Sequence, residues 1–156
     1  AASDVYKRQA KELARAIMSA KRKKQPIETT SQLREIVEQV VLRTKPENPK
    51  EAVKKTCQRV FQALRIDVNS EFEVLDSFLE ALPHILKPGG KAAILTFHSG
   101  EDRMVKKSFQ YYAREGIYSD IAKDVIRPSA KECASNPRAR STKFRWAVRS
   151  DVQKYE

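Results

Sequence analysis

The 156-residue sequence contains few of the residues that mark metal, disulfide or membrane proteins. It has two cysteines and two histidines, and neither cysteine belongs to a Cys-x-x-Cys pair. This pattern disfavours both a metal site and a disulfide framework, so Cys57 and Cys133 are expected to be small buried thiols. No run approaches the ~18 apolar residues of a membrane span, and no secretion signal is visible. We therefore expect a cytoplasmic protein with no membrane partner.

Glycine is equally scarce, and it occurs only at positions 89, 90, 100 and 116. None of these glycines forms a Gly-x-Gly pattern after a strand, which is the arrangement that brings backbone close to the phosphates of a nucleotide cofactor. The sequence therefore contains no residue that we can assign to cofactor binding.

Positive charge, in contrast, is abundant and unevenly distributed. The net charge is +11, and residues 1–24 carry eight basic groups against two acidic ones, while residues 127–149 carry seven against one. Such clusters favour a polyanion partner such as RNA, because Lys and Arg gain affinity by releasing counterions from phosphates. A solvated face that keeps the protein soluble explains the same charge equally well.

The first half of the chain has helical periodicity. Residues 1–9 lack a clear period and are expected to be a non-native or truncated leader, so a short basic amphipathic helix is predicted from Ala10. A second helix is predicted to begin at Thr29, because Thr29 and Gln32 have the spacing of a capping box.

A third helix is predicted at Asn48–Pro49, since asparagine is a good N-cap and proline suits the first helical position. Its apolar period continues to Leu82. The spacing is compatible with one long helix or with two helices separated by a break near Asn69–Ser70.

A change of pattern follows at the turn Leu86–Gly90. The short apolar run 92–97 predicts a parallel strand that is buried on both faces. Ser99 and Asp102 then have capping-box spacing, which predicts another helix that ends near Gly116.

The C-terminal part contains a predicted one-turn helix, with Ser129 as its cap and Glu132 in its first turn, and a final strand at 143–149. In that strand, apolar residues alternate with basic ones, so we expect one core face and one basic face; the apolar residues are Phe144, Trp146 and Val148. So few strands leave sheet edges exposed, which indicates that the rest of an α/β sheet is missing.

Four sequence strings carry a resemblance to a known family. They are Arg59–Asn69, Leu86–Gly90, Phe97–Arg103 and Asn136–Ser141. Their content and order resemble the MraW (RsmH) family of methyltransferases, over about residues 10–149. One departure is Gly100, where the family pattern has leucine, and this change bears on the rigidity of the loop.

The resemblance implies an α/β fold, namely part of a class I (Rossmann-like) S-adenosylmethionine methyltransferase with a helical insertion. The insertion is expected at residues 10–55 and the C-terminal half of the methyltransferase domain at residues 56–156. The implied reaction is methylation of a cytosine N4 amine in the decoding region of 16S ribosomal RNA. S-adenosylmethionine is expected to bind the missing N-terminal half, so this chain alone is expected to be inactive. The implied partner is 16S ribosomal RNA or the small ribosomal subunit.

Candidate catalytic residues lie just after the predicted buried strand, where ligands bind in open α/β sheets. A carboxylate or an imidazole there can accept hydrogen bonds from the target amine, although two of the four residues could equally serve only as helix caps. The four are His98, Ser99, Glu101 and Asp102.

The candidates for RNA binding are all basic residues near the resembling strings. Arg59 and Arg65 lie six positions apart in one helix, so we expect one to face the sheet or the cleft and the other to face solvent. The full set is Arg59, Arg65, Arg103, Arg138, Arg140 and Lys143.

Two functions of other classes stay open. A non-enzymatic basic RNA-binding module fits the charge clusters and the lack of a complete catalytic constellation, and a helical protein-interaction domain fits the first half of the chain. A glycine-rich loop after a strand, in the sequence upstream of this chain, would separate the enzyme from the binding module. The sequence does not indicate an oligomeric state.

Overall fold

A computed structural model describes the backbone of residues 2–151 and the side chains of residues 7–151. It divides into two compact units, Ala1–Asn69 and Ser70–Glu156, which we call the helical unit and the sheet unit. The boundary expected at residue 55 falls inside a helix of the helical unit, so that helix stays with its neighbours instead of joining the sheet. Among the described residues, no helix combines the length and the apolarity that a membrane crossing requires.

The helical unit contains α1 (Ala2–Arg22), α2 (Thr30–Leu42) and α3 (Pro49–Val68). Helix α2 packs against both α1 and α3. The prediction that helical structure begins at Ala10 is wrong, because α1 already begins at Ala2. Ala, Lys, Arg and Gln have high intrinsic helix propensity, so a helix can extend through residues that show no amphipathic period. The core consists of Leu13, Val37, Val40, Val41 and Val53.

The N-caps predicted for the second and third helices are confirmed. The backbone N–H of Gln32 donates to Thr29 Oγ1 at 3.2 Å, and the backbone N–H of Thr29 donates to Gln32 Oε1 at 3.0 Å. At the start of α3, Asn48 Oδ1 accepts from the backbone N–H of Glu51 at 3.2 Å. These caps are local in sequence, so the spacing of the side chains was sufficient to find them.

Neither cysteine is fully buried, contrary to expectation. Cys57 in the helical unit and Cys133 in the sheet unit are both partly exposed free thiols. Burial nevertheless raises the pKa of the Cys57 thiol above its usual range, because the thiolate would lose hydration.

The sheet unit contains four helical segments and three strands within its described residues. The N-cap predicted for the short helix in its C-terminal part is confirmed, because Ser129 Oγ accepts from the backbone N–H of Glu132 at 3.1 Å. In chain order the elements are α4 (Glu71–Ile85), β1 (Lys91–Thr96), α5 (Ser99–Arg114), β2 (Tyr118–Ile121), α6 (Ala130–Ser135), a 3-10 turn (Pro137–Ser141) and β3 (Lys143–Arg149).

The alternative of two helices is the one observed near Asn69–Ser70. Helix α3 ends at Val68, and Ser70 has a φ of 50°, a left-handed conformation that a continuous helix does not contain. The stop predicted for α5 is also confirmed, since Gly116 follows the helix with a φ of 73°.

The sheet has the order β1-β3-β2, and β3 is antiparallel to both neighbours. The prediction that the first strand is parallel and buried on both faces is therefore wrong for the described sheet. Ala92 and Thr96 are buried, whereas Leu95 is 53% exposed. The apolar run indicated a strand correctly. Within the described residues, α5 packs against β1 and β3 on one face of the sheet, and the other face leaves Leu95 exposed.

The faces of β3 are the reverse of those predicted. Arg145, Ala147 and Arg149 are buried at 6%, 0% and 8% exposure, and the apolar residues between them are only partly buried. Ala147 belongs to the core with Val105 and Phe109. Arg145 and Arg149 lie on the same face of β3 as Ala147 and are therefore buried with it. The opposite side, which we call the apolar sheet face, consists of Ala93, Leu95, Phe144, Trp146 and Val148.

Candidate functional site

The candidate site lies where β1 ends and α5 begins. His98 is the N-cap of α5, and its Nδ1 atom accepts hydrogen bonds from the backbone N–H groups of Gly100 and Glu101, at 3.2 Å and 3.4 Å. The capping box predicted for Ser99 and Asp102 is therefore wrong. Extended backbone at His98 allows its imidazole to turn back over the first turn of the helix, and Ser99 is left exposed as the first helical residue.

This bonding pattern determines the tautomer of His98. A nitrogen that accepts hydrogen bonds carries no proton, so in the neutral ring the proton is on Nε2. That atom is buried and makes no hydrogen bond to any described residue, although Glu101 Oε1 lies 3.4 Å away, within ion-pair range. Glu101 is held from its other side, because Oε2 accepts from the backbone N–H of Phe97 at 3.2 Å.

A third side chain joins this pair from the start of α4. One carboxylate oxygen of Glu71, one carboxylate oxygen of Glu101 and one ring nitrogen of His98 lie within 4.8 Å of one another. Glu71 was not among the residues predicted from the sequence, because acidic residues are common in the first turn of a helix, where the helix dipole favours negative charge. We name these three residues the acidic-histidine cluster.

Three such groups can in principle hold a metal ion, but the bonds of His98 favour a different use. A histidine that binds a metal usually donates a hydrogen bond from its other ring nitrogen. Here Nδ1 accepts from two backbone N–H groups, so coordination at Nε2 would require loss of the ring proton or of the helix cap. The cluster is better suited to binding a hydrogen-bond donor.

Gly100 is explained by the close packing of two rings. The Phe72 ring meets the His98 ring at 5.8 Å between centroids and 72° between planes. A Cβ atom at position 100 would lie 3.0 Å from Phe72 Cζ and 3.1 Å from two atoms of the His98 ring. The glycine therefore allows this close ring contact, and a larger residue at this position would require the two rings to move by a few tenths of an ångström.

Asp102 is used for structure. Its two carboxylate oxygens accept from Arg145 Nε at 2.7 Å and from Arg145 Nη2 at 3.2 Å, and the two side chains are only 15% and 8% exposed. A bidentate pair with this geometry occupies the acceptors of Asp102. Of the four candidates, the structure brings His98 and Glu101 together, turns Asp102 toward β3 and leaves Ser99 on the surface.

The basic candidates are mostly on the surface. Arg59 and Arg65 are both exposed on α3, and the expectation that one of them faces the sheet or the cleft stays a prediction. In the sheet unit, Arg138 and Arg140 are exposed on the 3-10 turn after Asn136. Lys143 is partly buried, and its Nζ donates to a backbone carbonyl at 3.2 Å. Arg103 completes the set, and it is exposed on α5.

The glycines of the described residues do not form a loop of the kind that holds a nucleoside cofactor. The backbone N–H groups of Gly89 and Gly90 are bonded within the turn before β1 and to β3. Gly100 is packed against two rings, and Gly116 terminates a helix. None of these glycines provides free backbone donors beside a strand end, as a nucleotide-binding loop does.

Comparisons with known proteins agree with one another. The sequence model of the MraW methylase family matches residues 5–150. Ribosomal RNA small subunit methyltransferase H 1 of Lachnoclostridium phytofermentans is 61% identical over 140 residues, which cover 89% of this chain and 38% of that protein. The corresponding protein of Agathobacter rectalis is 62% identical over 90% of this chain and 40% of its own length. Ribosomal RNA small subunit methyltransferase H 2 of Acholeplasma laidlawii is 47% identical over 95% of this chain and 42% of its own length. The chain thus spans about two-fifths of the length of these relatives.

Proposed function

Since the chain belongs to the MraW methylase family, we propose that it is the C-terminal part of an enzyme that methylates the N4 amine of a cytosine in 16S ribosomal RNA. The relatives are named ribosomal RNA small subunit methyltransferase H, which supports ribosomal RNA as the substrate and the small ribosomal subunit as the partner. A substrate of this kind also implies a cytoplasmic location.

The sheet supports the view that this chain is part of a larger methyltransferase domain. The apolar sheet face carries Leu95 at 53% exposure next to the partly buried Phe144 and Trp146. Within the described sheet, β1 has a neighbour on one side only. A contiguous apolar patch and an unpaired edge are features that folded proteins normally cover. We propose that upstream strands and helices, which the longer relatives have room for, cover both.

The observation that carries the proposed chemistry is the rigid placement of Glu101 and His98 at the carboxyl end of β1. Methylation of an aromatic amine requires the nitrogen to be oriented toward the methyl donor, and carboxylate oxygens orient an amine by accepting its N–H bonds. Glu101 is held by the backbone of Phe97 and faces Nε2 of His98. The acceptor is therefore fixed before substrate binds, which is the condition for efficient orientation.

The methyl group is supplied by S-adenosylmethionine, which we assign to the upstream part because the described residues form no cradle for it. Calorimetric titration of this chain alone should show no binding at micromolar concentration, and the full-length protein should bind. Micromolar binding by this chain would contradict the assignment.

The site is tested best by separating the cap function of His98 from its chemistry. In the full-length protein, His98→Asn keeps a good N-cap but removes Nε2, while Glu101→Gln removes the carboxylate. Both variants should lower turnover by about a hundredfold and leave the affinity for S-adenosylmethionine nearly unchanged. Lys106→Gln, at an exposed position on the same helix, is the matched control. Near-normal activity of both site variants would show that this loop is only structural.

The RNA-binding module is the second candidate, because the basic residues of α1 are exposed. This function predicts that full-length protein binds the small-subunit RNA but transfers no methyl group from radiolabelled S-adenosylmethionine. Incorporation of label at a cytosine amine excludes it.

A further inference from the structure

We propose that Glu71 is a substrate-binding residue, and that Glu71 and Glu101 together accept the two N–H bonds of the target amine. This inference rests on the proposed function and adds a residue that lies outside the loop after β1. Its basis is the approach of the two carboxylates, which come from the first turns of α4 and α5 and lie within 4.8 Å of each other.

The upper limit on the separation of these acceptors, 4.8 Å, is close to the separation that an aromatic amine requires. The two N–H bonds of such an amine diverge by about 120°, and each makes a hydrogen bond of about 2.9 Å, so two acceptors that bind both bonds lie about 5 Å apart. With one acceptor the amine can still rotate out of the reactive orientation. With two, both N–H bonds are directed, and the nitrogen lone pair that must meet the methyl group is directed with them.

The cluster also discriminates between bases. Two carboxylates at this distance repel each other, and a ligand that offers two donors relieves the repulsion. Cytosine presents an amine with two donors, whereas uracil presents a carbonyl oxygen that both carboxylates would repel. His98 helps to position Glu101, because its Nδ1 bonds to α5 leave the ring proton on Nε2, which lies 3.4 Å from Glu101 Oε1.

The arrangement depends on contacts that position Glu71. Phe72, the next residue, packs edge-on against His98, so the start of α4 is held against the start of α5. The alternative role of Glu71 is purely structural, since an acidic side chain in the first turn stabilises a helix. Glu73 occupies the same first turn, is exposed and lies outside the cluster. It therefore provides a matched control for the helix-dipole contribution.

The test uses full-length protein and two small-subunit RNA segments that differ only at the target nucleotide. One carries cytosine, and the other carries 2-pyrimidinone, which lacks the exocyclic amine. Wild-type protein should bind the cytosine RNA at least tenfold more tightly, because a site built for an amine penalises its loss. Glu71→Ala should reduce this preference to less than threefold and lower turnover by about a hundredfold, while Glu73→Ala should behave as wild type.

The outcomes are distinguishable from those of the proposed function. If wild-type protein methylates the cytosine amine and Glu71→Ala keeps the tenfold preference, the inference is overturned and the proposed function stands. An equal loss in Glu73→Ala would also overturn it, since the effect would then belong to the helix. If wild-type protein transfers no methyl group to this RNA, both the proposed function and the inference fail. Should Glu71→Ala not fold, as judged by thermal melting, Glu71→Met, which keeps the side-chain length but has no strong acceptor, replaces it with the same expected loss of preference.

Discussion

The helical unit and the sheet unit use basic side chains in opposite ways. In the helical unit, every basic residue of the first 24 lies on the surface: Lys7, Arg8, Lys11, Arg15, Lys21, Arg22, Lys23 and Lys24. In the sheet unit, two of the seven basic residues of 127–149 are in the interior, Arg145 at 6% exposure and Arg149 at 8%.

The buried arginines are tolerated because their donors are bonded. Arg145 forms the bidentate pair with Asp102. Arg149 donates from Nε to the carbonyl of Pro83 at 2.9 Å and from Nη1 to the carbonyl of Ile117 at 3.1 Å. Desolvation of a charge is costly, and such bonds offset it. Two segments of equal net charge therefore need not bind RNA equally well, because Arg145 and Arg149 are bonded inside the sheet unit.

The largest expected effect concerns Arg145. Arg145→Met keeps most of the side-chain volume but leaves Asp102 without its cation, so the free energy of unfolding should fall by about 3–5 kcal/mol. Urea denaturation followed by circular dichroism measures this change. Arg15→Met, on the surface of the helical unit, is the control and should stay within about 0.5 kcal/mol of wild type. A loss below about 1 kcal/mol at Arg145 would remove the contrast between the units.

Arg149→Met tests a buried arginine whose described hydrogen bonds go to backbone carbonyl groups and not to a carboxylate. The substitution leaves the carbonyl of Pro83 without its Arg149 donor, while the carbonyl of Ile117 keeps the backbone N–H of Ser150, so the cost should be about 1–3 kcal/mol. The same denaturation experiment applies, with the exposed Arg140→Met as control. An unchanged midpoint would mean that the carbonyl of Pro83 finds another donor.

Tyr118 extends the comparison from charge to pH. It is 2% exposed, and burial raises the pKa of its phenol to about 12; Tyr112 adds a smaller upward contribution, and the nearby Arg149 cation lowers the pKa slightly. The unfolded phenol ionises near 10, so the folded state holds more protons between pH 10 and pH 12. Stability from this group is complete below pH 10 and should decline toward pH 12, by on the order of 1–2 kcal/mol.

Tyr118→Phe should remove this decline. Because the Tyr118 hydroxyl is buried without a hydrogen-bond partner among the described residues, the variant should also be as stable as wild type or slightly more stable at neutral pH. Unfolding midpoints measured from pH 7 to pH 11.5 check both points. A decline of equal size in the variant would assign the pH dependence to other groups.

The smallest effect on stability belongs to the surface of the helical unit, where the effect on RNA should appear instead. Arg15→Ala should leave the free energy of unfolding within about 0.5 kcal/mol of wild type. If Arg15 contacts a phosphate, the slope of log affinity for RNA against log salt should decrease by about 0.9. Fluorescence anisotropy at several salt concentrations measures the slope. An unchanged slope would favour the solubility interpretation of this surface.

How much could be predicted depended on the distance along the chain over which each feature is determined. Thr29, Asn48 and Ser129 were identified as caps because each accepts from a backbone N–H three residues later. His98 was missed as a cap because histidine is an unusual N-cap and Ser99 offered a more common pattern next to it. Glu71 could not be placed in the site at all, since its approach to Glu101 depends on how α4 packs beside α5.

The sequence by itself determined the presence of most helices, the caps Thr29, Asn48 and Ser129, the turn before β1 and the family, because these depend on residues that are close together in the chain or on short sequence motifs. Tertiary structure alone decided which face of β3 is buried. Alternation shows that a strand has two faces, but in β3 the more apolar face is the less buried one. The other face is buried because Ala147 packs against Phe109 and the arginines on either side of it form hydrogen bonds. Burial is set by what packs against a face and by whether its polar groups are bonded, and neither is local in sequence.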